Sequence, residues 1–380
     1  MPIQSYYNEN GKTRGKVKRV IMKEFKLEGK GIQLILRDNV LAVLSTFPLQ
    51  TVSSAYHNGG GIKPTRVILN IEVPKGYGDT KLHMDPEKLV ADSANKLGIK
   101  EEFVAMITAA CVKNFAMASK RDDELGVSVI ATAADDEGHT CDHAESSGEE
   151  IHAEVMEKGT INIIVVIDGK PTPPTLVSSI ITATEAKTAA LLELDIRSLY
   201  SGRAATGTIT DAVVCAETGT GEPITFGGPA SKLGQLVGFC TKQAVKEAIM
   251  KGRECSPTRS LLDRLSARHI SVKKMALELS KVKDLNKNKE ELEQLIKEMI
   301  TKDSLAASLI LSAVELDEEV EYGLLPPQLG KIDKLAKSFG ERVSLSSELG
   351  TNLDETDIAG VILPPFLKRT LIGMIRKADP

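Results

Sequence analysis

From Gly159 to Asp211 the chain reads GTINIIVVIDGKPTPPTLVSSIITATEAKTAALLELDIRSLYSGRAATGTITD. An apolar strand ends in Asp168, and a Pro-punctuated turn follows. The next stretch has helical spacing and is apolar on nearly every face, apart from a central polar band of Thr182, Thr184, Glu185, Lys187 and Thr188. A Gly/Thr turn, SGRAATGTITD, leads into the following strand. A helix apolar all round is expected to be buried, and buried charges are costly unless paired or used. Glu185 and Lys187 are therefore either a structural pair or part of a site, and the residues alone leave both open.

The 380 residues suggest two domains, or three, each large enough for a core of its own. Hydrophobic content of 42% with 26% charged residues is ordinary for a soluble globular protein, and a net charge of -4 does not point to nucleic acid. The basic run GKTRGKVKRVIMKEFK alternates with apolar residues, which reads as a strand with a solvated basic face. Trp is absent and aromatics are 4%, so base-stacking platforms are not expected. Of five cysteines (Cys111, Cys141, Cys215, Cys240, Cys255), widely spaced and without a CxxC, Cys111, Cys215 and Cys240 sit in apolar segments, which fits reduced core thiols in a cytoplasmic protein. No apolar segment reaches the roughly 18 to 20 residues of a membrane span. The N-terminus lacks the apolar core of a signal peptide. Oligomeric state is not readable.

The first two-thirds alternates strand and helix signals. GIQLILRD and VLAVLSTF read as a hairpin through an Asp-Asn turn, and RVILNIEVP as a strand. DPEKLVADSANKLGI reads as a helix with Asp85 as N-cap, Pro86 in the first turn and Gly98 as stop. KEEFVAMITAACVKNFAMA reads as a second helix. GVSVIATAA and TINIIVVID read as strands, AVVCAET with PITF as a further pair, and the stretch from GGPASKLGQLVG to IMKG as a helix. After about Cys255–Arg259 only helical spacing remains, with Ser271 and Asn286 as N-caps. QLGKIDKLAKSFG carries the same spacing. The expected architecture is an α/β domain over residues 1–254, a mixed sheet layered with helices, followed by an all-α domain over 255–380.

Several groups have the composition of a site. Tyr56-His57-Asn58-Gly59-Gly60-Gly61 offers backbone N–H groups, side-chain donors and a possible base, or is a plain glycine turn. Ser201, Arg203, Thr206, Thr208, Thr210 and Asp211 could hold an amide oxygen, a phosphate or an oxyanion, or merely lead into a strand. There is no GxxxxGK[ST] and no GxSxG. His139, Cys141, His143 and His152 are metal-ligand types whose close spacing fits no zinc pattern, so the segment reads as a solvated loop, with weak transition-metal binding as the alternative. In the helical part, Glu315, Asp317, Glu318, Glu319 and Glu321, and separately Asp354, Glu355 and Asp357, could hold Mg²⁺ or be solvated helix ends.

LSTFPLQTVSSAYHNGGGIKPTRVILNIEVP, FVAMITAA, GTINIIVVID, TATEAKTAAL, SGRAATGTITDAVV and SKLGQLVG, in this order, resemble the adenosylcobinamide amidohydrolases over roughly residues 30 to 250. The resemblance implies hydrolysis of the amide that joins a corrin propionate to aminopropanol, turning adenosylcobinamide into adenosylcobyric acid. It carries His57, Asn58, Gly59, Gly60, Gly61, Asn70, Asn162, Asp168, Thr184, Glu185, Lys187, Thr206, Thr208, Thr210, Asp211 and Lys232 across as matched positions. It implies no cofactor. The chain departs from the pattern at ATAADDEGHTCDHAESSGEE. LLDRLSARHISVKKMALEL, VEYGLLPPQLG and DETDIAGVILP resemble phosphatidylglycerophosphatase-A-like helical proteins, a group that includes an archaeal α-ribazole phosphatase. That resemblance implies a bifunctional salvage enzyme acting also on α-ribazole phosphate, with Glu315, Asp317, Glu318, Asp354 and Glu355 as candidates and Mg²⁺ as a possible cofactor.

Amide hydrolysis needs a nucleophile, a base, oxyanion donors and an acid for the amine. One scheme uses water, with Glu185 as base through burial in its helix, Lys187 and Asn58 at the oxyanion, and His57 protonating the amine. A rival uses Thr208 or Thr206 as nucleophile, assisted by Lys187 or Asp211. The ligand would occupy an open, mostly apolar cleft with a few polar fixtures, Arg203 among them. The alternative from another class is a corrinoid carrier without turnover, its helical part mediating interactions only.

Overall fold

A computed structural model describes residues 23–74, 77, 85–133, 159–198, 201–252, 259–282, 285, 287–325 and 365–378. They divide into two compact units. Among the described residues, the first draws on 23–133, 159–187 and 209–252, and the second on 188–208 and 259–378.

The first unit is built on a nine-stranded mixed sheet. β1 (Lys23–Lys26), β2 (Ile32–Arg37), β3 (Val40–Ser53) and β4 (Gly60–Glu72) form an antiparallel meander. Asp38 and Asn39, at φ 51° and 62°, close the β2–β3 hairpin as a two-residue turn of the kind that matches strand twist. β3 is 14 residues long and serves three neighbours: β4 along one edge, β2 at the start of the other and β10 (Ala212–Glu217) at its end. Beyond β10 the order continues through β8 (Ile161–Asp168), β7 (Leu125–Ala133) and β6 (Ala116–Asp122). β8 and β10 are parallel, as are β4 and β5 (Val104–Thr108). The run INIIVVI is buried along its whole length, which explains why it lacks alternation.

Side chains alternate between two apolar layers. Leu41, Val43, Ile68 and Met106 join Ile164, Val166 and Val214 on one face. Val40, Ala42, Leu69, Ile71 and Ala105 lie on the other, under Val90 and Ala94 of α1 (Pro86–Leu97). α1 carries the expected signals: Asp85 accepts from Lys88 N, and Gly98 ends the helix at φ 73°. KEEFVAMITAACVKNFAMA is not a helix. It forms β5, a 3-10 turn at Val112–Asn114 and the start of β6. Val104 and Met106 enter one core layer and Ala105 the other, so the segment has no solvent face to set a period of two. Strand pairing overrides helical spacing there.

AVVCAET and PITF do not pair with each other. β10 joins the main sheet, whereas β11 (Pro223–Ile224) pairs parallel with β9 (Lys170–Pro171) in a separate two-stranded sheet. α2 (Pro173–Glu193) is not buried all round: Val177, Ile181 and Leu192 are exposed, as are Thr184 and Glu185. α3 (Lys232–Gly252) packs on β6 and β7. Cys215 and Cys240 are buried as expected, while Cys111 is exposed. Burial pushes the Cys240 thiol up to about 11.

The second unit holds α4 (Leu261–Ala267), α5 (Val272–Leu279), α6 (Lys289–Lys302), α7 (Ser304–Glu321) and α8 (Pro365–Ala378) around Leu265, Met275, Ile296, Ile310 and Leu371. Ser271 caps α5. The cap of α6 is Asn288, which with Glu291 forms a reciprocal capping box; Asn286 lies outside the described residues. Asp303 divides α6 from α7 by capping the latter. The 139–152 histidine loop and QLGKIDKLAKSFG also lie outside the described residues.

Candidate active site

The N-terminal end of β8 gathers a group of buried and half-buried polar side chains. Lys187, 6% exposed on α2, is ion-paired with Asp211, which stands just before β10. The second carboxylate oxygen of Asp211 accepts the backbone N–H of Ile161 at 2.9 Å. A side chain on a helix and one just ahead of a strand thus both fix the start of β8. Beside them the hydroxyls of Thr160 and Thr210 share a hydrogen bond of 2.8 Å. One side-chain alternation further along β8, Asn162 Nδ2 donates to Asn70 Oδ1 at 2.8 Å and to the Ile107 carbonyl at 3.0 Å. Asn70 Nδ2 in turn donates to Thr132 Oγ1 at 2.8 Å. Asn162 Oδ1 is buried and has no hydrogen-bond partner among the described residues, an omission that costs about 1–3 kcal/mol when left unmet.

At the opposite end of β8, Asp168 accepts from Arg121, from Thr220 at 2.9 Å and from Thr218 at 3.1 Å. Burial pushes its carboxyl up, but the Arg121 guanidinium and the two hydroxyls outweigh that and hold it below the usual carboxylate range. Arg121 also binds Glu28 at 2.7 Å. Arg121, Asp168, Thr218, Thr220 and Phe226 line an open cleft of about 1270 Å³ at the carboxyl ends of the parallel pair β8 and β10, where open α/β sheets commonly hold ligands. Lys232, on the same rim, pairs with Asp122 at 3.1 Å and Asp123 at 2.8 Å. Eight residues of strand separate Thr160 from Asp168, about 26 Å at 3.3 Å per residue. Asp168 and Lys187 therefore cannot act on the same atoms.

His57 and Asn58 form a third locus. His57 Nδ1 lies 2.8 Å from Glu87 Oε2. Asn58 Nδ2 donates to the Phe103 carbonyl at 3.0 Å and lies 3.1 Å from His57 Nε2. This pattern is met when Nδ1–H donates to Glu87 and Nε2 accepts from Asn58. The imidazole stacks on Phe103, ring centroids 4.8 Å apart. Gly59 is required because a Cβ there would stand 2.1 Å from the Ala55 carbonyl oxygen, while Gly60 and Gly61 face open space.

Thr184 donates to the Ile180 carbonyl within α2 (2.9 Å), and Glu185 is exposed. The burial on which Glu185 was founded as a base is absent, because α2 turns that face to solvent. Arg203, Thr206 and Thr208 belong to the second unit, where Arg203 pairs with Glu321 and the Thr206 carbonyl accepts from Thr188 (3.0 Å). Of the acidic cluster, Glu318 binds Arg197 and Arg268, and Glu315 lies 3.7 Å from Arg264. Asp317 accepts the first N–H groups of α8, from Phe366 and Leu367. Asp354 and Glu355 lie outside the described residues. Among the described residues no group of three or more His, Cys, Asp or Glu is placed to hold a metal ion.

Sequence reasoning missed Thr160, Arg121 and Glu87. Arg121 follows the segment read as a helix, whose last three residues open β6. Thr160 carries only one local signal, its place between a glycine at φ 80° and an apolar strand.

A mixed sheet layered with helices, carrying a buried Lys–Asp pair and a hydroxyl pair at one strand end, defines an α/β protein followed by helices. Residues 26–257 match the adenosylcobinamide amidohydrolase family, and the chain belongs to that family. It is 28% identical to the adenosylcobinamide amidohydrolase of Methanosarcina mazei over 226 residues, covering 58% of this chain and 95% of that protein. It is 32% identical over 207 residues to an uncharacterized protein of Methanocaldococcus jannaschii, covering 50% of this chain and 79% of that one. Among solved structures, an L-aminopeptidase D-Ala-esterase/amidase from Ochrobactrum anthropi, a variant of the Ntn hydrolase fold, aligns with 63% of this chain and 84% of its own at 11% identity. Its TM-score of 0.27 is too low to carry an argument about this chain. No helix among the described residues is long and apolar enough to cross a membrane.

Proposed function

We propose that the chain hydrolyses the amide between the corrin propionate and aminopropanol of adenosylcobinamide, releasing adenosylcobyric acid in cobamide salvage. The family match over residues 26–257 carries this reading. The buried Lys187–Asp211 pair beside the Thr160–Thr210 hydroxyls supports placing the reacting amide at the start of β8. Fixed dipoles and charges in a site shielded from water are what acyl transfer needs at the developing oxyanion. Asp168, Arg121 and Lys232, a strand length away, belong to a separate cleft with room for another part of a large substrate.

The test is incubation of the purified chain with adenosylcobinamide, followed by separation of adenosylcobyric acid and aminopropanol. Equimolar products support the reading; corrinoid that is bound and recovered unchanged makes the chain a carrier. The α-ribazole phosphatase activity implied by the C-terminal motifs is a separate proposal, carried by those motifs alone. Phosphate release from α-ribazole phosphate by the full chain, with and without Mg²⁺, tests it.

A further inference from the structure

Of the threonines near the ion pair, Thr160 is the one that three independent constraints converge on. It is 1% exposed immediately before β8, and among the described residues its side chain pairs with the hydroxyl of half-buried Thr210, 2.8 Å away. In a hydroxyl–hydroxyl pair one hydrogen is shared and the other is left to move on to a further acceptor. The peptide that follows Thr160 is held by Asp211, which Lys187 holds in turn, so the two buried charges act on the backbone at this residue. Thr160 immediately precedes β8 and stands two residues before Asn162, the spacing at which side chains of an extended chain share a face. The carbonyl oxygen of the Asn162 side chain is buried and has no partner among the described residues. An acceptor left unmet in a core is a place where a ligand N–H is wanted, and the scissile bond of a secondary amide carries one.

We propose that Thr160 is the nucleophile, forming an ester intermediate; this rests on the amidohydrolase reading above. Thr160 Oγ1 bonds to the amide carbonyl carbon while its proton passes to the Thr210 hydroxyl, which gives its own proton to the amide nitrogen. The C–N bond breaks and the amine leaves neutral. Water then attacks the ester carbonyl, releasing the carboxylic acid and restoring the Thr160 hydroxyl. Asn162 Oδ1 orients the scissile N–H. Lys187 and Asp211 are positioning residues that fix the Ile161 peptide.

The experiment combines two readouts on the full chain. In the first, wild type, Thr160→Ser and Thr160→Val are assayed with adenosylcobinamide, with corrinoid binding measured separately by absorbance. Thr160→Val keeps the shape of the side chain and is expected to bind the corrinoid yet lose about a thousandfold or more in kcat, as removal of a nucleophile does. Thr160→Ser is expected to stay within about tenfold. Acid-quenched wild type should carry the corrinoid acyl group on the peptide that contains Thr160. In the second readout, p-nitrophenyl acetate should acetylate Thr160 in wild type and leave the valine variant unlabelled.

Turnover by Thr160→Val within tenfold of wild type, or an adduct on another residue, overturns the nucleophile. Labelling of Thr160 without hydrolysis of adenosylcobinamide overturns the substrate reading and leaves the nucleophile standing. Absence of both labelling and hydrolysis overturns both. If Thr160→Val does not bind corrinoid, the serine variant and the wild-type adduct decide.

Discussion

Asp211→Ala removes the carboxylate from an ammonium that is 6% exposed and also leaves the Ile161 N–H without its acceptor. Breaking a buried pair by deleting one partner costs about 3–5 kcal/mol, because the remaining charge stays desolvated. The freed N–H belongs at the upper end of that range. For a unit of this size about 2–4 °C of melting temperature accompanies each kcal/mol, so the variant should melt about 6–20 °C below wild type. Lys187→Met combined with Asp211→Leu removes both charges and should recover stability to within about 2 kcal/mol of wild type. Activity should not recover with it. Without the pair the start of β8 is no longer held, and a misplacement of about 1 Å at a reacting group costs about a hundredfold. Thermal melts and amide turnover on the same samples read both quantities. A double variant with wild-type turnover would make the pair purely structural; an Asp211→Ala loss below about 1 kcal/mol would refute the burial argument.

Two further perturbations have defined outcomes. Gly59→Ala places a methyl 2.1 Å from the Ala55 carbonyl oxygen and should destabilise the first unit by about 1–3 kcal/mol, while Gly61→Ala, which meets nothing within 4 Å, should be near neutral in the same urea titration. In the second unit, burial pushes the Asp195 carboxyl up but the guanidinium groups of Arg268, Arg264 and Arg197 outweigh it, holding it well below the usual carboxylate range. A depressed carboxylate contributes stability that is present above its unfolded value near pH 4 and is lost as pH falls below that. Asp195→Asn should therefore destabilise the helical unit at pH 7 and flatten its loss of stability between pH 4 and 2. An unchanged acid limb would refute that role.

What was legible in the sequence follows from local physics. Asp85, Pro86 and Gly98 bounded α1 because caps are satisfied within a turn of the chain, and Asp38-Asn39 marked the hairpin because both residues tolerate positive φ. VAMIT was not legible, since a strand buried on both faces has no alternation and its partner β4 lies more than thirty residues upstream. The polar band on α2 was read as one buried set, yet the helix separates Lys187, which faces inward, from Thr184 and Glu185, which face solvent. Single residues of a helix can differ in exposure by their angle alone, and only the packing of neighbours fixes where the boundary falls. Lys187 and Asp211 were both marked by type, but their pairing across 24 positions, and the choice of Thr160 beside them, depend on the parallel register of β8 with β10.

The central claim is amide hydrolysis at the start of β8, and one measurement bears on it most directly: adenosylcobinamide turnover by purified wild type and by Thr160→Val, with bound corrinoid quantified in each. The account predicts equimolar adenosylcobyric acid and aminopropanol from wild type, with binding but a collapse of turnover in the variant. Stoichiometric binding of unchanged adenosylcobinamide by wild type would contradict it.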